Sequence, residues 1–375
     1  MAALGLGFLV LVHEFGHYVT AKILGIRVEE FSIGFGRYLV KRRWGDTVYG
    51  ISALPLGGYV RVTGMHREEF EARVKAAEEE RSWTGKDMES RMTGQSAISD
   101  EEVARTPLER RYYARPVWQR IAFIISGVSM NVVAAFVFMF FVGLQGYSTP
   151  TTVVQQVSPG SAAAGAGMAT GDKVVSLAGQ PAKDWATVQQ AIRDNPGATV
   201  PVVIERAGKT LQLQATIGRR ADGTGLLGVS PQVREVQPGF VESFSFAGTQ
   251  TARLFTLTFR GIGDMVSGKA PVTGSQGLSG PIGIVTISSE AVRGGFFLSL
   301  LAFISVQLAI INMLPLLPLD GGHVLFGIIE KISGRSVSLR TFERVSVVGV
   351  SLFLLLAIVA TSNDIGRLFS GQTGL

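Results

Sequence analysis

Four stretches of almost unbroken apolar residues divide the chain: 1–24, 117–144, 296–329 and 345–363. A helix needs roughly 20 apolar residues to cross a bilayer core about 30 Å thick, so each stretch predicts a transmembrane helix. The third is long enough to be interrupted, and Pro315, Pro318, Gly321 and Gly322 fall inside it. Between the first two spans, residues 27–63 read as short strands and turns, with Gly34-Phe35-Gly36 and Pro55-Leu56-Gly57-Gly58 as punctuation. Residues 64–115 are rich in Glu and Arg and poor in large apolar side chains; Glu68–Arg81 predicts a solvated helix and the remainder loop or disorder. Residues 150–232 show a self-contained α+β pattern: a strand at 153–157, a helix capped by Asp184, and a hairpin from Val200–Glu205 and Thr210–Ile217. Residues 240–268 are apolar but carry Arg253, Arg260 and Asp264, which predicts an amphipathic helix on the membrane surface. Gly274–Gly283 reads as a glycine-rich loop. The expected fold is a polytopic α-helical membrane protein with about four transmembrane helices, a membrane-associated β-hairpin region at 27–63 and one α+β domain.

Composition sharpens this picture. The chain is 46% hydrophobic and 17% charged, against about 25% charged in soluble domains. Within the four spans the charged residues are Glu14, Lys22 and Asp320, apart from Arg120 in the first turn of the second. A soluble enzyme, a disordered chain and a disulfide scaffold are excluded. With no cysteine, thiolate metal ligands are excluded too. The first span lacks a basic leader and carries a His-Glu-His cluster, unlike a signal peptide. Net charge +6 reflects basic membrane flanks rather than a nucleic-acid surface. Arg27, Arg37, Lys41, Arg42, Arg43, Arg110, Arg111 and Arg115 lie between spans one and two, and Lys331, Arg335, Arg340 and Arg344 between spans three and four. By the positive-inside rule both loops are cytoplasmic, which leaves both termini and the 150–232 domain outside.

His13-Glu14-Phe15-Gly16-His17 is an H-E-x-x-H sequence. On a helix the two imidazoles share a face and can reach one zinc ion, and the intervening carboxylate can take a proton from its water. A catalytic zinc needs a third protein ligand and an open position. Besides Glu14, Asp320 is the one carboxylate within the four spans. It lies where prolines and glycines break span three, and broken helix at membrane depth is tolerated where it is buried in protein or lines a wet cavity. Asp320 as a helix cap and His323 as a competing ligand remain alternatives at this stage. His66, in the polar loop, reads as a surface residue.

These motifs together resemble the site-2 protease family of intramembrane zinc metalloproteases. The likeness rests on H-E-F-G-H at 13–17, the Gly34-Phe35-Gly36 turn, L-P-L-G-G-Y-V at 54–60, S-G-P-I-G-I at 279–284, and N-x-x-P-x-x-x-L-D-G-G-H at 312–323. It covers nearly the whole chain and is nearest to the bacterial regulator-of-sigma-E protease branch. The resemblance implies one zinc ion held by His13, His17 and Asp320, with Glu14 as general base and Asn312 as a substrate-engaging residue. It implies that 150–232 is a single PDZ domain. It also implies a bacterial inner-membrane enzyme cutting a single-pass membrane substrate, such as an already trimmed anti-sigma factor, with remnant signal peptides as the alternative. Two departures stand out: 66–111 looks inserted, and span two reads Gly127-Val128-Ser129-Met130-Asn131 where the family usually has G-P-x-x-N.

A transmembrane substrate must be unwound before its carbonyls are attacked. The strand-like segment 47–62 is expected to hold it extended by strand addition, with Gly57 and Gly58 allowing close backbone approach beside Tyr59. Two other function classes compete. A midplane metal or proton transporter calls for paired broken helices in two similar halves, whereas one span is broken here. A membrane-anchored PDZ scaffold has no use for Glu14 and Asp320.

Overall fold

The computed structural model describes residues 2–82, 98–220, 223–274, 277–334 and 337–369. They fall into two compact units: Met1–Val142 with Ser243–Leu375, and Gly143–Glu242.

The first unit begins with α1 (Ala2–Ile23), followed by strands β1 (Val28–Trp44) and β2 (Thr47–Val62). These are longer than the short strands expected from the sequence. Residues 30–33 pair on both sides: Glu30 lies opposite Arg61 and Val48, and Ile33 opposite Gly58 and Ile51. Residues 38–44 pair with 47–52. Two bent strands thus make four rungs, with 58–62 on an outer edge. Gly34 and Gly36, both at positive φ, bend β1 without ending it, so the Gly-Phe-Gly signal marks a bend rather than a break. Lys22, at the end of α1, donates to Thr47 Oγ1 at 2.7 Å.

Next come α2 (Arg67–Ser82), α3 (Asp100–Ala104) and two 3-10 turns at Leu108–Arg110 and Tyr112–Ala114. The loop-or-disorder expectation for 83–97 lies outside the described residues. The remainder of this segment corrects the picture of a solvated insertion. Phe70, Ile98 and Val103 are buried with Val48 of β2. Arg27 donates to Glu102 at 2.7 Å, and Arg73 pairs with Glu29 at 3.1 Å and Asp100 at 2.6 Å. Three well-placed apolar residues and paired charges suffice to dock a segment whose composition reads as soluble. His66 is also not a surface residue. It is half-buried, its ring meets that of Phe342 edge-on with centroids 4.5 Å apart, and burial lowers its pKa.

Helix α4 (Val117–Gln145) leads into the second unit. There β3 (Tyr147–Val157), α5 (Ala162–Gly165), β4 (Lys173–Leu177), β5 (Gln180–Pro181), α6 (Trp185–Arg193), β6 (Thr199–Arg206), β7 (Lys209–Thr216), β8 (Gly218–Arg219), β9 (Gly225–Leu226) and β10 (Val229–Val236) follow in order. The main sheet runs β10-β3-β4-β6-β7, with β5 beside β4. Its core gathers Val174, Leu177, Trp185, Val188, Val202, Ile204, Ile217 and Leu227. Asp184 caps α6 through Thr187 N at 2.7 Å. The sequence boundary at 232 falls inside β10, because Pro231, Gln232, Arg234 and Glu235 hide a strand that pairs with β3 as far as Val236.

The chain then returns to the first unit with α7 (Phe240–Val266), α8 (Pro281–Arg293), α9 (Phe297–Met313), α10 (Asp320–Ser333) and α11 (Leu339–Phe369). Helix α7 buries Ser243, Ala247 and Thr251 and leaves Leu257, Phe259, Ile262 and Val266 exposed. Ala247 packs with Ala135 and Met139 of α4 and Ala302 and Val306 of α9. Helix α8 was not expected: its start lies within the supposed glycine loop. Asp364 of α11 holds that start, accepting from Gly280 N at 3.1 Å and Gly283 N at 2.8 Å.

The third apolar stretch is two helices, α9 and α10, joined by residues 314–319. Among the described residues, three helices are long and apolar enough to cross a membrane: Leu4–Ile23, Val117–Gln145 and Leu339–Phe369. Helix α9, at 17 residues, is a shorter apolar helix that ends where Pro315 and Pro318 follow.

Candidate metal centre

Helix α1 carries His13 and His17 one turn apart, and their Nε2 atoms converge to 3.2 Å. Asp320, in the first turn of α10, brings its Oδ2 to 3.0 Å from His13 Nε2 and 3.4 Å from His17 Nε2. These are the residues found among the described part of the chain whose donor atoms could share a metal ion, all within 4.8 Å of one another. Both histidines are buried, and Asp320 Oδ2 finds no aligned hydrogen-bond donor. A buried orphan oxygen facing two imidazole nitrogens is costly unless a cation is shared. The two-nitrogen, one-oxygen donor set fits zinc with a fourth position open.

The sequence after Asp320 explains how it gets there. A Cβ on Gly321 would stand 2.5 Å from the carbonyl carbon of Met313, and one on Gly322 would stand 2.6 Å from Leu317 N. Two glycines therefore let the first turn of α10 press against the backbone of the 314–319 connection. Asp320 is not the cap residue of its helix; Leu319 is. The ring of His323 packs at a tilt against Phe342, centroids 5.1 Å apart, and lies 6.2 Å from the ring of His66; it is not in the His13–His17–Asp320 group.

Glu14 accepts a hydrogen bond from the amide of Val60 at 3.1 Å. The outer edge of the β-sheet therefore reaches the carboxylate next to the histidines. Gly57 makes this approach possible: a Cβ there would stand 3.0 Å from Val10 Cγ1 of α1 and 3.1 Å from Phe35 Cε2. A Cβ on Gly58 would strike the backbone of Ser32 on β1. Tyr59 turns its hydroxyl toward β1. It donates to Glu30 Oε2 at 2.7 Å, next to Tyr38, which donates to the same oxygen at 2.8 Å. Asn312 lies half-buried in the last turn of α9, eight residues before Asp320.

The sequence reading did not anticipate what α4 contributes. The Nδ1–H of His17 donates to the carbonyl of Phe123 at 2.8 Å, and Asn131 lies 3.1 Å from His13 Nδ1. A Cβ on Gly127, between them, would come within 2.8 Å of His13 Cε1 and 2.7 Å of His17 Cε1. The four-residue spacing 123–127–131 was the available signal.

Comparison with known proteins follows the same lines. Residues 1–356 match peptidase family M50. The zinc metalloprotease RasP of Bacillus licheniformis is 29% identical over 97% of this chain and 97% of its own length. The regulator of sigma-W protease RasP of Bacillus subtilis is likewise 29% identical, over 97% of both chains. The RasP of Geobacillus kaustophilus is 29% identical over 97% of this chain and 96% of its own. Among solved structures, the PDZ domain of an SdrC-like protein from Listeria monocytogenes aligns with 22% of this chain and 87% of its own, at 20% identity and a TM-score of 0.20.

Proposed function

The chain belongs to peptidase family M50, the site-2-type zinc metalloproteases of membranes, and from that premise we propose that His13, His17 and Asp320 hold its zinc and Glu14 is its general base. The observation that carries this reading is the convergence of His13 Nε2, His17 Nε2 and Asp320 Oδ2 from two helices far apart in sequence. Bound there, zinc would lower the pKa of water toward 7 and polarise the peptide carbonyl. Glu14 takes the proton released in the attack and returns it to the leaving amide nitrogen. The Val60 amide holds one oxygen of Glu14, fixing the direction in which the carboxylate presents its other oxygen.

The substrate is read as a single-pass membrane segment, drawn out as a strand along the 54–60 edge of β2 and held in part by Asn312. Support comes from the sheet register, in which 58–62 has a neighbour on one side at 28–33. Backbone hydrogen bonds would then grip the unwound chain regardless of its side chains. The family resemblance makes an anti-sigma factor already shortened by a first protease the favoured substrate, and one relative is named as a regulator of sigma-W. Remnant signal peptides are the second reading. The Gly143–Glu242 unit is read as one PDZ domain on the extracytoplasmic side, with Gly225–Gly228 as its peptide-terminus loop. Its role is to reject substrates that still carry large outer domains.

The ligand assignment is tested by metal analysis of the purified protein. Asp320→Ala and His13→Ala are each expected to lose the bound zinc, and His323→Ala to keep it. Full zinc in Asp320→Ala would remove Asp320 from the centre.

A further inference from the structure

We propose that Asn131 fixes the ring of His13, so that one stripe of α4 orients both imidazoles of the metal centre. The inference rests on the reading of His13 and His17 as ligands, but it concerns residues to which that reading gives no role.

A histidine ligates through one ring nitrogen, which must be unprotonated; the other nitrogen then carries the hydrogen and needs an acceptor. For His17 the acceptor is settled by chemistry. The partner of Nδ1 is the carbonyl of Phe123 at 2.8 Å, and a carbonyl can only accept, so Nδ1 carries the hydrogen and Nε2 is left free. The same carbonyl also accepts from Ser126 Oγ at 2.6 Å, which ties it to its own helix turn.

For His13 the partner is the carboxamide of Asn131, wholly buried, with Nδ2 at 3.1 Å from Nδ1 and Oδ1 buried without a hydrogen bond. The oxygen and nitrogen ends of a carboxamide exchange on a half-turn and have nearly the same shape. One end stays unpaired in either orientation. The proton on Nδ1 selects the orientation, because a donor there requires Oδ1 opposite. His13 Nε2 is then left with its lone pair facing Asp320 Oδ2 and His17 Nε2.

Asn131 is well placed for this task. Its backbone carbonyl accepts from Ser305 Oγ of α9 at 2.8 Å, which fixes its height in the bundle. Residues 123, 127 and 131 lie one turn apart on one face of α4. Gly127, between the two partners, leaves room for both rings where a Cβ would not. Gly16 repeats the device from α1: a Cβ there would stand 2.9 Å from the carbonyl carbon of Ser126. The helices therefore approach closely enough for α4 to touch both histidines.

The test uses full-length protein in detergent. It reads the zinc dissociation constant by chelator competition and the visible spectrum of the cobalt-loaded protein. Asn131→Leu and Asn131→Ala remove the acceptor, and each is expected to weaken zinc by about 10- to 100-fold and shift the cobalt bands. Asn131→Asp keeps an oxygen opposite Nδ1–H and is expected to stay within about threefold of the parent. Two acceptor-free variants are used so that poor folding of one leaves the other. Parental affinity in either folded acceptor-free variant, or an Asn131→Asp as weak as Asn131→Leu, overturns the proposal. His13→Ala is measured alongside. If it binds zinc like the parent, the ligand reading falls and this proposal with it. If only the Asn131 variants bind like the parent, the proposal alone falls.

Discussion

The amide of Val60 donates to Oε2 of Glu14 across 3.1 Å, joining the outer edge of the β-sheet to the carboxylate beside the histidines. Because this N–H points to α1 rather than to β1, proline at position 60 removes it without costing the ladder a bond. Val60→Pro is expected to slow cleavage of a model membrane substrate roughly ten- to a hundredfold, the scale of one hydrogen bond to a charged group. Zinc content should be unchanged. Cleavage at the parental rate would show that the contact does not orient Glu14.

Gly127 is expected to tolerate no side chain. A methyl group there meets the Cε1 atoms of both histidines at 2.7–2.8 Å. Gly127→Ala should lose about 1–3 kcal/mol by overpacking and purify with substoichiometric zinc. The thermal midpoint in detergent and the metal content measure the two effects. Full zinc with an unchanged midpoint would mean that the helices simply move apart.

The buried Asp172 makes the second unit sensitive to acid. Burial alone pushes its carboxyl up, but Arg206, donating at 2.7 and 2.8 Å, and the Ala169 amide at 2.8 Å together hold it below the usual carboxylate range. A depressed folded pKa gives stability that is complete above the unfolded value of about 4 and is lost as pH falls through the lower folded value. A fragment of residues 143–242, which has its own core, should therefore keep a level thermal midpoint from pH 7 to about 5 and lose it below about 4. Asp172→Asn should be less stable at neutral pH and flatter with pH. A parent midpoint that does not fall in acid would contradict this.

The size-filter role of the second unit has a direct test. Deleting residues 150–232 should let the enzyme cut a substrate that still bears its outer domain, while the pre-trimmed substrate is cut as before. A deletion that only abolishes both cleavages would rule the filter out.

How far the sequence foretold this structure depended on the kind of signal. His13, Glu14 and His17 are legible because a helix converts a spacing of four into a shared face, and Asp320 because a carboxylate in an apolar span is conspicuous. The docking of the segment formed by Arg67–Ser82 and residues 98–104 was not legible. Its average composition is that of a solvated segment, and it is held by three apolar residues and by ion pairs to Arg27 and Glu29 from elsewhere in the chain. Helix α8 was hidden because Asp364, over 80 residues away, stabilises a start that local glycines argue against. Phe123 was invisible as a partner because its contribution is a backbone carbonyl, which any residue carries. The partner of Tyr59 was hidden because nothing local shows that a tyrosine in a strand will turn to a buried glutamate.

The assignment of Glu14 as the base beside a three-residue zinc site is tested most directly in one variant. Glu14→Gln removes the proton acceptor and leaves His13, His17 and Asp320 in place. Zinc content and cleavage of a model transmembrane substrate are measured on the same preparation. Zinc at the parental level with cleavage reduced by at least about a hundredfold is the expected result. Cleavage at the parental rate in the zinc-loaded variant would contradict it.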